Sequence, residues 1–147
     1  MDREKFSRLI NLAITKEVEA AQFYEELTAS AQRPEMREVF QEFAAQEWGH
    51  KRRLEELKID DITKEALRPV PDLRISEYLV DVEPHSGMSF QEALVVAIKR
   101  EESALKLYTD LAAQFSDPMK KLFQFLANEE AKHKNRLEMI YDEEVLG

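Results

Sequence analysis

Two stretches of this chain interrupt an apolar helical seam with the same pair of polar residues. In Phe40 to Leu54, FQEFAAQEWGHKRRL, steps of three and four give Met36, Phe40, Phe43, Glu47, His50, Leu54 and Leu57. This is an a/d-type stripe whose two central positions carry a carboxylate and an imidazole. Further on, the stripe Met119, Phe123, Leu126, Glu130, His133, Leu137 and Ile140 repeats it. A seam of this kind predicts a helix packed on another helix. Burying a charged group there without a partner costs several kcal/mol. The fold must therefore supply partners for Glu47, His50, Glu130 and His133, and a metal ion is the first candidate.

Two more helices carry one carboxylate each. From Arg3 to Ser30 the stripe is Phe6, Ile10, Ala13, Glu17, Ala20, Tyr24 and Leu27. After a capping-box pair, Ser89 and Glu92, it is Phe90, Leu94, Ala97, Glu101, Ala104, Tyr108, Leu111 and Phe115. Pro34 suits the first position of the second helix, and Asp117–Pro118 supplies a cap and first residue for the fourth. The segment AITKEVEAAQFYEEL (Ala13–Leu27) matches AIKREESALKLYTDL (Ala97–Leu111) at an offset of 84 residues, and the two Glu-x-x-His stretches match at 83. One helical hairpin is used twice.

The expected organisation is a single all-α domain over 1–147. It comprises a hairpin over 3–58, a crossover over 59–88, a second hairpin over 89–141 and a frayed acidic tail over 142–147. Pro69, Pro71, Pro84 and Gly87 punctuate the crossover, which has a short helix near Leu73–Val80. Its apolar residues Leu73, Ile75, Tyr78, Leu79 and Val82 offer surface to bury. His85, without a partner at metal spacing, is a solvated loop residue. Gly49 inside a helix predicts close packing of another helix or subunit. The charge runs are solvated helix faces.

Turn geometry brings the carboxylates level. Glu17 and Glu47 are each fifteen residues from Gln32 at the first turn, and Glu101 and Glu130 straddle Ser116 near the second. At ~1.5 Å rise per residue, the two carboxylates of each hairpin come within a turn of each other. His50 and His133 follow a Glu by three residues, on the same helix face. Pairing the hairpins would collect four carboxylates and two imidazoles, the ligand count for two adjacent metals. An O/N set without sulfur suits iron or manganese, with zinc also accommodated. One glutamate per hairpin on the Glu-x-x-His helix, Glu47 and Glu130, could bridge both ions, with Glu17 and Glu101 then terminal ligands. The alternative, a polar core of salt bridges without metal, would need Lys or Arg on the seams, and none stands near the six residues.

Composition excludes other chemistry. The chain of 147 residues has no cysteine, so disulfides, thiol nucleophiles and Cys-ligated metals are excluded within it. A formal charge of −9 disfavours a nucleic-acid partner, whose affinity depends on clustered Lys and Arg. No apolar run is long enough for a bilayer, and MDREKFSR lacks a secretory signal, so the expectation is a cytoplasmic protein with no membrane partner.

The Glu17/Glu101 and Glu47-x-x-His50/Glu130-x-x-His133 set is the ligand pattern of ferritin-like di-iron proteins. From Phe6 to about Tyr141, crossover DLRISEYLVDVEP included, the chain resembles the rubrerythrin-like branch of that superfamily. The resemblance implies a four-helix bundle of two antiparallel hairpins joined by a long crossover, usually a homodimer. It implies a di-iron oxidoreductase of oxidative-stress defence that reduces hydrogen peroxide or dioxygen. Two features depart from the pattern. Ala104 stands where rubrerythrins carry a further glutamate three residues after Glu101, and Ala20 occupies the equivalent position. This six-ligand set is closer to bacterioferritin ferroxidase centres. No Cys-ligated iron domain is present, so electrons would come from an external donor protein. The other readings are a ferroxidase or iron-handling protein, and a non-enzymatic di-metal-binding protein. Tyr24 and Tyr108, two turns along from Glu17 and Glu101, are placed to orient a ligand carboxylate through the hydroxyl.

Overall fold

A computed structural model describes residues 3–57, 74–80, 83–85 and 87–145. It is all-helical among the described residues. The four long helices are α1 (Arg3–Ser30), α2 (Pro34–Glu55), α3 (Phe90–Gln114) and α4 (Met119–Val145), with a 3₁₀ turn at Ile75–Tyr78 between α2 and α3. Helix α1 packs along α2 and α3 along α4, giving two antiparallel hairpins, the element set of a four-helix bundle. The chain divides into two compact units, residues 1–71 and 72–147, with one hairpin in each.

In the first unit, the seam residues of α1 and α2 point into the hairpin. Phe6, Ala13 and Phe40 are fully buried, and Tyr24 and Leu54 nearly so. Two ring contacts close the region next to the turn: Tyr24 stacks on Phe40 and meets Phe43 edge-on, at centroid distances of 6.3 and 5.4 Å. Pro34 takes the first helical position of α2, where its missing N–H costs no hydrogen bond. Gly49 departs from expectation. A Cβ there would meet only the Arg52 guanidinium at 3.7 Å, ordinary contact, so among the described residues no helix requires its small size.

The second unit repeats the seam. Leu94, Tyr108, Leu111, Phe123, Leu126, Leu137 and Ile140 are fully buried. Both arms of the predicted capping box are present at the start of α3: Glu92 N donates to Ser89 Oγ at 3.1 Å, and Ser89 N to Glu92 Oε1 at 3.4 Å. The Asp117–Pro118 bond is cis, and α4 begins one residue later than the proline pattern indicates, at Met119. The helix also continues past the expected end at Tyr141 as far as Val145. Its last turns are tethered to α3, because Gln91 Nε2 donates to the Tyr141 hydroxyl at 3.2 Å.

The crossover lies largely outside the described residues, including Leu73 and Val82. Its described turn docks on α3. The Tyr78 ring is fully buried, its hydroxyl donates to Asp110 Oδ2 at 2.8 Å, and its carbonyl accepts from Ser103 Oγ at 2.6 Å. Burial and the Asp110 carboxylate together push the Tyr78 phenol well above its ordinary pKa. Lys106 closes over the ring, 5.1 Å from its centroid, and pairs with Glu77 at 2.9 Å. The Ile75 side chain lies outside the described residues, and Leu79, expected to be buried, is instead 60% exposed as the extended residue that ends the turn. His85 is exposed, as expected, and sits 3.1 Å from Glu92 Oε2. No described helix is long and apolar enough to cross a membrane.

Candidate metal centre

Each hairpin assembles one carboxylate from its first helix and a Glu-x-x-His pair from its second. Seam geometry brings them together. Residues three apart share a helix face, and the antiparallel return sets the first helix's glutamate at the same level. In the first hairpin His50 Nδ1 lies 3.5 Å from Glu17 Oε2 and 3.4 Å from Glu47 Oε1. In the second, His133 Nδ1 lies 3.7 Å from Glu101 Oε1 and 3.8 Å from Glu130 Oε2. All six residues are buried, none more than 3% exposed. Within each triad the donor atoms lie within 4.8 Å of one another.

These distances fit a shared cation better than a closed ion-pair network. Charge-assisted N–H···O bonds run at about 2.7–2.9 Å. Donors held at ~2.1 Å from one ion stand about 3–4 Å from each other, depending on the angle between them. The observed 3.4–3.8 Å contacts fall in the second range. The chemistry of the set agrees. Carboxylate and imidazole donors without sulfur suit iron, manganese or zinc, and two divalent ions balance four carboxylates in charge.

Without a cation the first triad is strained electrostatically. Burial, reinforced by the neighbouring Glu47 carboxylate, pushes Glu17 up to about 8 from an ordinary 4.5. Burial would by itself lower His50, but its contacts with Glu17 and Glu47 outweigh that and raise it to about 9. Hence at neutral pH both groups hold protons where a metal needs lone pairs, and metal uptake must release them.

The predicted positions beside the triads are apolar or aromatic. Ala20 and Ala104 are buried, at 9% and 7% exposure, so no further carboxylate enters from those places. Tyr24 and Tyr108 are buried among rings, Tyr108 stacking on Phe123 at 6.5 Å. Sequence reasoning treated Tyr78 merely as apolar surface and missed its polar anchorage on α3. Its spacing from Asp110 across a crossover carries no periodic signal. The family model described as Rubrerythrin matches residues 8–79 and 92–146. Among curated proteins there is no significant match.

Proposed function

The chain belongs to the Rubrerythrin family, and from that premise we propose that Glu17, Glu47, His50, Glu101, Glu130 and His133 hold two metal ions, iron first among them, in a peroxide- or dioxygen-reducing oxidoreductase supplied with electrons by an external donor protein. The observation that carries this reading is the repeated triad: two buried carboxylates around one buried imidazole in each hairpin. Bound ferrous iron would supply Lewis acidity and two electrons per pair, which with two protons reduce hydrogen peroxide to two waters.

The chain's own residues set the conditions for that chemistry. The four glutamates neutralise the ions' charge, and the two imidazoles complete a nitrogen–oxygen set with too few ligands to close both coordination shells. The surrounding apolar seam, with Phe40, Leu54, Phe123 and Leu137 almost fully buried, restricts bulk water. With Glu17 raised to about 8 and His50 to about 9, this half of the set would release protons on metal uptake and take them up again when the metal leaves. In this proposal Tyr24 and Tyr108 orient the ligand carboxylates through their hydroxyls.

The test is anaerobic stopped-flow mixing of ferrous-loaded protein with hydrogen peroxide. Oxidation much faster than that of free ferrous ion supports the reading, and a rate equal to free ion overturns it. A second reading, ferroxidase chemistry with ferrous iron as substrate, draws support from Ala20 and Ala104, which leave the donor set at six. Oxidation by dioxygen outpacing oxidation by peroxide, with more than two irons consumed per chain, would favour it.

A further inference from the structure

Helix α4 has two faces of different chemistry. Toward the seam stand Phe123, Leu126, Glu130, His133, Leu137 and Ile140, all buried. On the reverse, Lys121, Phe125, Asn128, Lys132, Asn135 and Met139 recur at steps of three and four, and all are exposed. This stripe carries two of the three large apolar side chains exposed among the described residues, Phe125 at 38% and Met139 at 54%. It carries no acid. Outside the donor set, the carboxylates between Met119 and Tyr141 are Glu129 and Glu138. They lie to either side of the stripe, paired with Lys132 at 3.4 Å and Lys134 at 3.0 Å.

The other long helices turn a different surface outward. Four glutamates are exposed on α1, four on α2 and two on α3, whereas on α4 exposed acids begin only at Asp142, past the stripe. In a chain of net charge −9, most of the surface therefore repels an acidic partner and this one face accepts it. The stripe lysines are well exposed, and their ion pairs with Asp117 at 3.7 Å and Glu129 at 3.4 Å are of the kind worth little in water. Both ammonium groups can turn to a partner. Exposed aromatic and Met side chains without acids are the composition of a docking patch. A stripe about 27 Å long suits the small contacts of transient redox encounters, below ~1,200 Å² in total.

The partner's chemistry follows from position. On its buried side the same helix presents Glu130 and His133, about 10–12 Å from the stripe, one helix diameter. Electron tunnelling falls steeply with distance, so a carrier seated here is close to the donor set. The chain has no cysteine with which to hold an iron–sulfur centre of its own. We propose that the outer stripe of α4 is the docking face for an acidic one-electron carrier protein. The proposal rests on the oxidoreductase reading above and names where its electrons enter. The carrier gives up one electron per encounter, and two encounters supply the two electrons that one peroxide consumes.

A plant-type [2Fe–2S] ferredoxin, an acidic one-electron carrier, is the probe, titrated in its oxidised form into the whole chain and followed through backbone amide signals. Saturable changes centred on Phe125, Asn128, Lys132 and Met139 are expected, weakening as salt is raised. Lys121→Glu combined with Lys132→Glu should weaken binding at least about tenfold. Phe125→Ala should weaken it several-fold and leave the salt dependence in place. Cytochrome c, a basic carrier, should produce none of these changes. In iron-loaded protein the charge-reversed variant should be reduced by ferredoxin more slowly by the same factor, with its oxidation by peroxide unchanged. Failure of the oxidoreductase reading would show instead as slow peroxide oxidation in the unaltered protein. The docking proposal is overturned if ferredoxin gives no saturable changes, or if they map to other helices or survive charge reversal. It is also overturned if the same amides shift when the protein alone is diluted, which would assign the face to a second copy.

Discussion

The two hairpins agree along the seam that carries the donors and differ on their outer faces and turns. Each presents Glu on its first helix, Glu-x-x-His on its second, a Tyr seven residues after the first Glu, and a Phe and Leu bracketing the pair. Their outer faces share little: a Trp48–Glu25 hydrogen bond across the helices in one, an alanine-lined groove in the other. The starts of their second helices differ too, Pro34 entering α2 directly while Pro118 precedes α4 through a cis bond. Only the second hairpin has a described clasp, Tyr78 with Asp110, Ser103 and Lys106. The lesson is that the donor set and its packing constrain the repeat, whereas surfaces and turns tolerate any solution that satisfies the backbone.

That comparison breaks first if the triads are not metal sites. His50→Ala and His133→Ala each remove the single imidazole of one triad. Each is expected to weaken binding of one metal equivalent by more than the ~10–100-fold typical of losing an outer-shell partner. Calorimetric titration with a divalent metal checks this, and retention of both equivalents at full affinity in either variant contradicts it. The next largest effect concerns packing. Leu54→Ala and Leu137→Ala empty equivalent, fully buried positions, and each should cost about 2–5 kcal/mol in urea unfolding. A large difference between them would show that the two cores are packed less alike than their seams.

The pH response sharpens the electrostatic half of the argument. Glu17 and His50 both have folded values above their ordinary ones, about 8 against 4.5 and about 9 against 6.5. A raised group's contribution is intact below its unfolded value and lost as pH rises through its folded value. Metal-free protein is therefore expected to lose stability from Glu17 between about pH 4.5 and 8 and from His50 between 6.5 and 9. Metal affinity should rise over the same window as those protons leave. Glu17→Gln should remove the lower part of the stability loss; an unchanged profile in that variant would exclude Glu17 as its source. The smallest expected effect is that of Tyr78→Phe, which deletes the hydrogen bond to Asp110 and should cost about 0.5–1.5 kcal/mol in unfolding free energy.

Much of this was legible because helical periodicity is a strong signal and the chain states it four times. Every seam position from Phe6 to Leu27, from Met36 to Leu54, from Leu94 to Phe115 and from Met119 to Ile140 is buried. Glu17, Glu47, His50, Glu101, Glu130 and His133 lie where the period puts them. The misreadings fall where no period operates. Gly49 was expected to pack closely against another helix or subunit, and among the described residues no helix requires its small size. Leu79 was counted as buried, yet it stands just past the 3₁₀ turn in extended conformation and is exposed, while its neighbour Tyr78 is buried. The end of α4 was placed too early because the acidic residues after Tyr141 suggest fraying, whereas the Gln91–Tyr141 tether is a contact between residues fifty apart.

The most direct test of the central claim is a metal count. Protein stripped of metal should be titrated anaerobically with ferrous ion at pH 7, with bound iron measured against chain concentration. Two equivalents per chain, falling to one in His50→Ala and in His133→Ala, are predicted. Fewer than two in the unaltered protein, or two retained in either variant, would contradict the assignment of the repeated triads as a two-metal site.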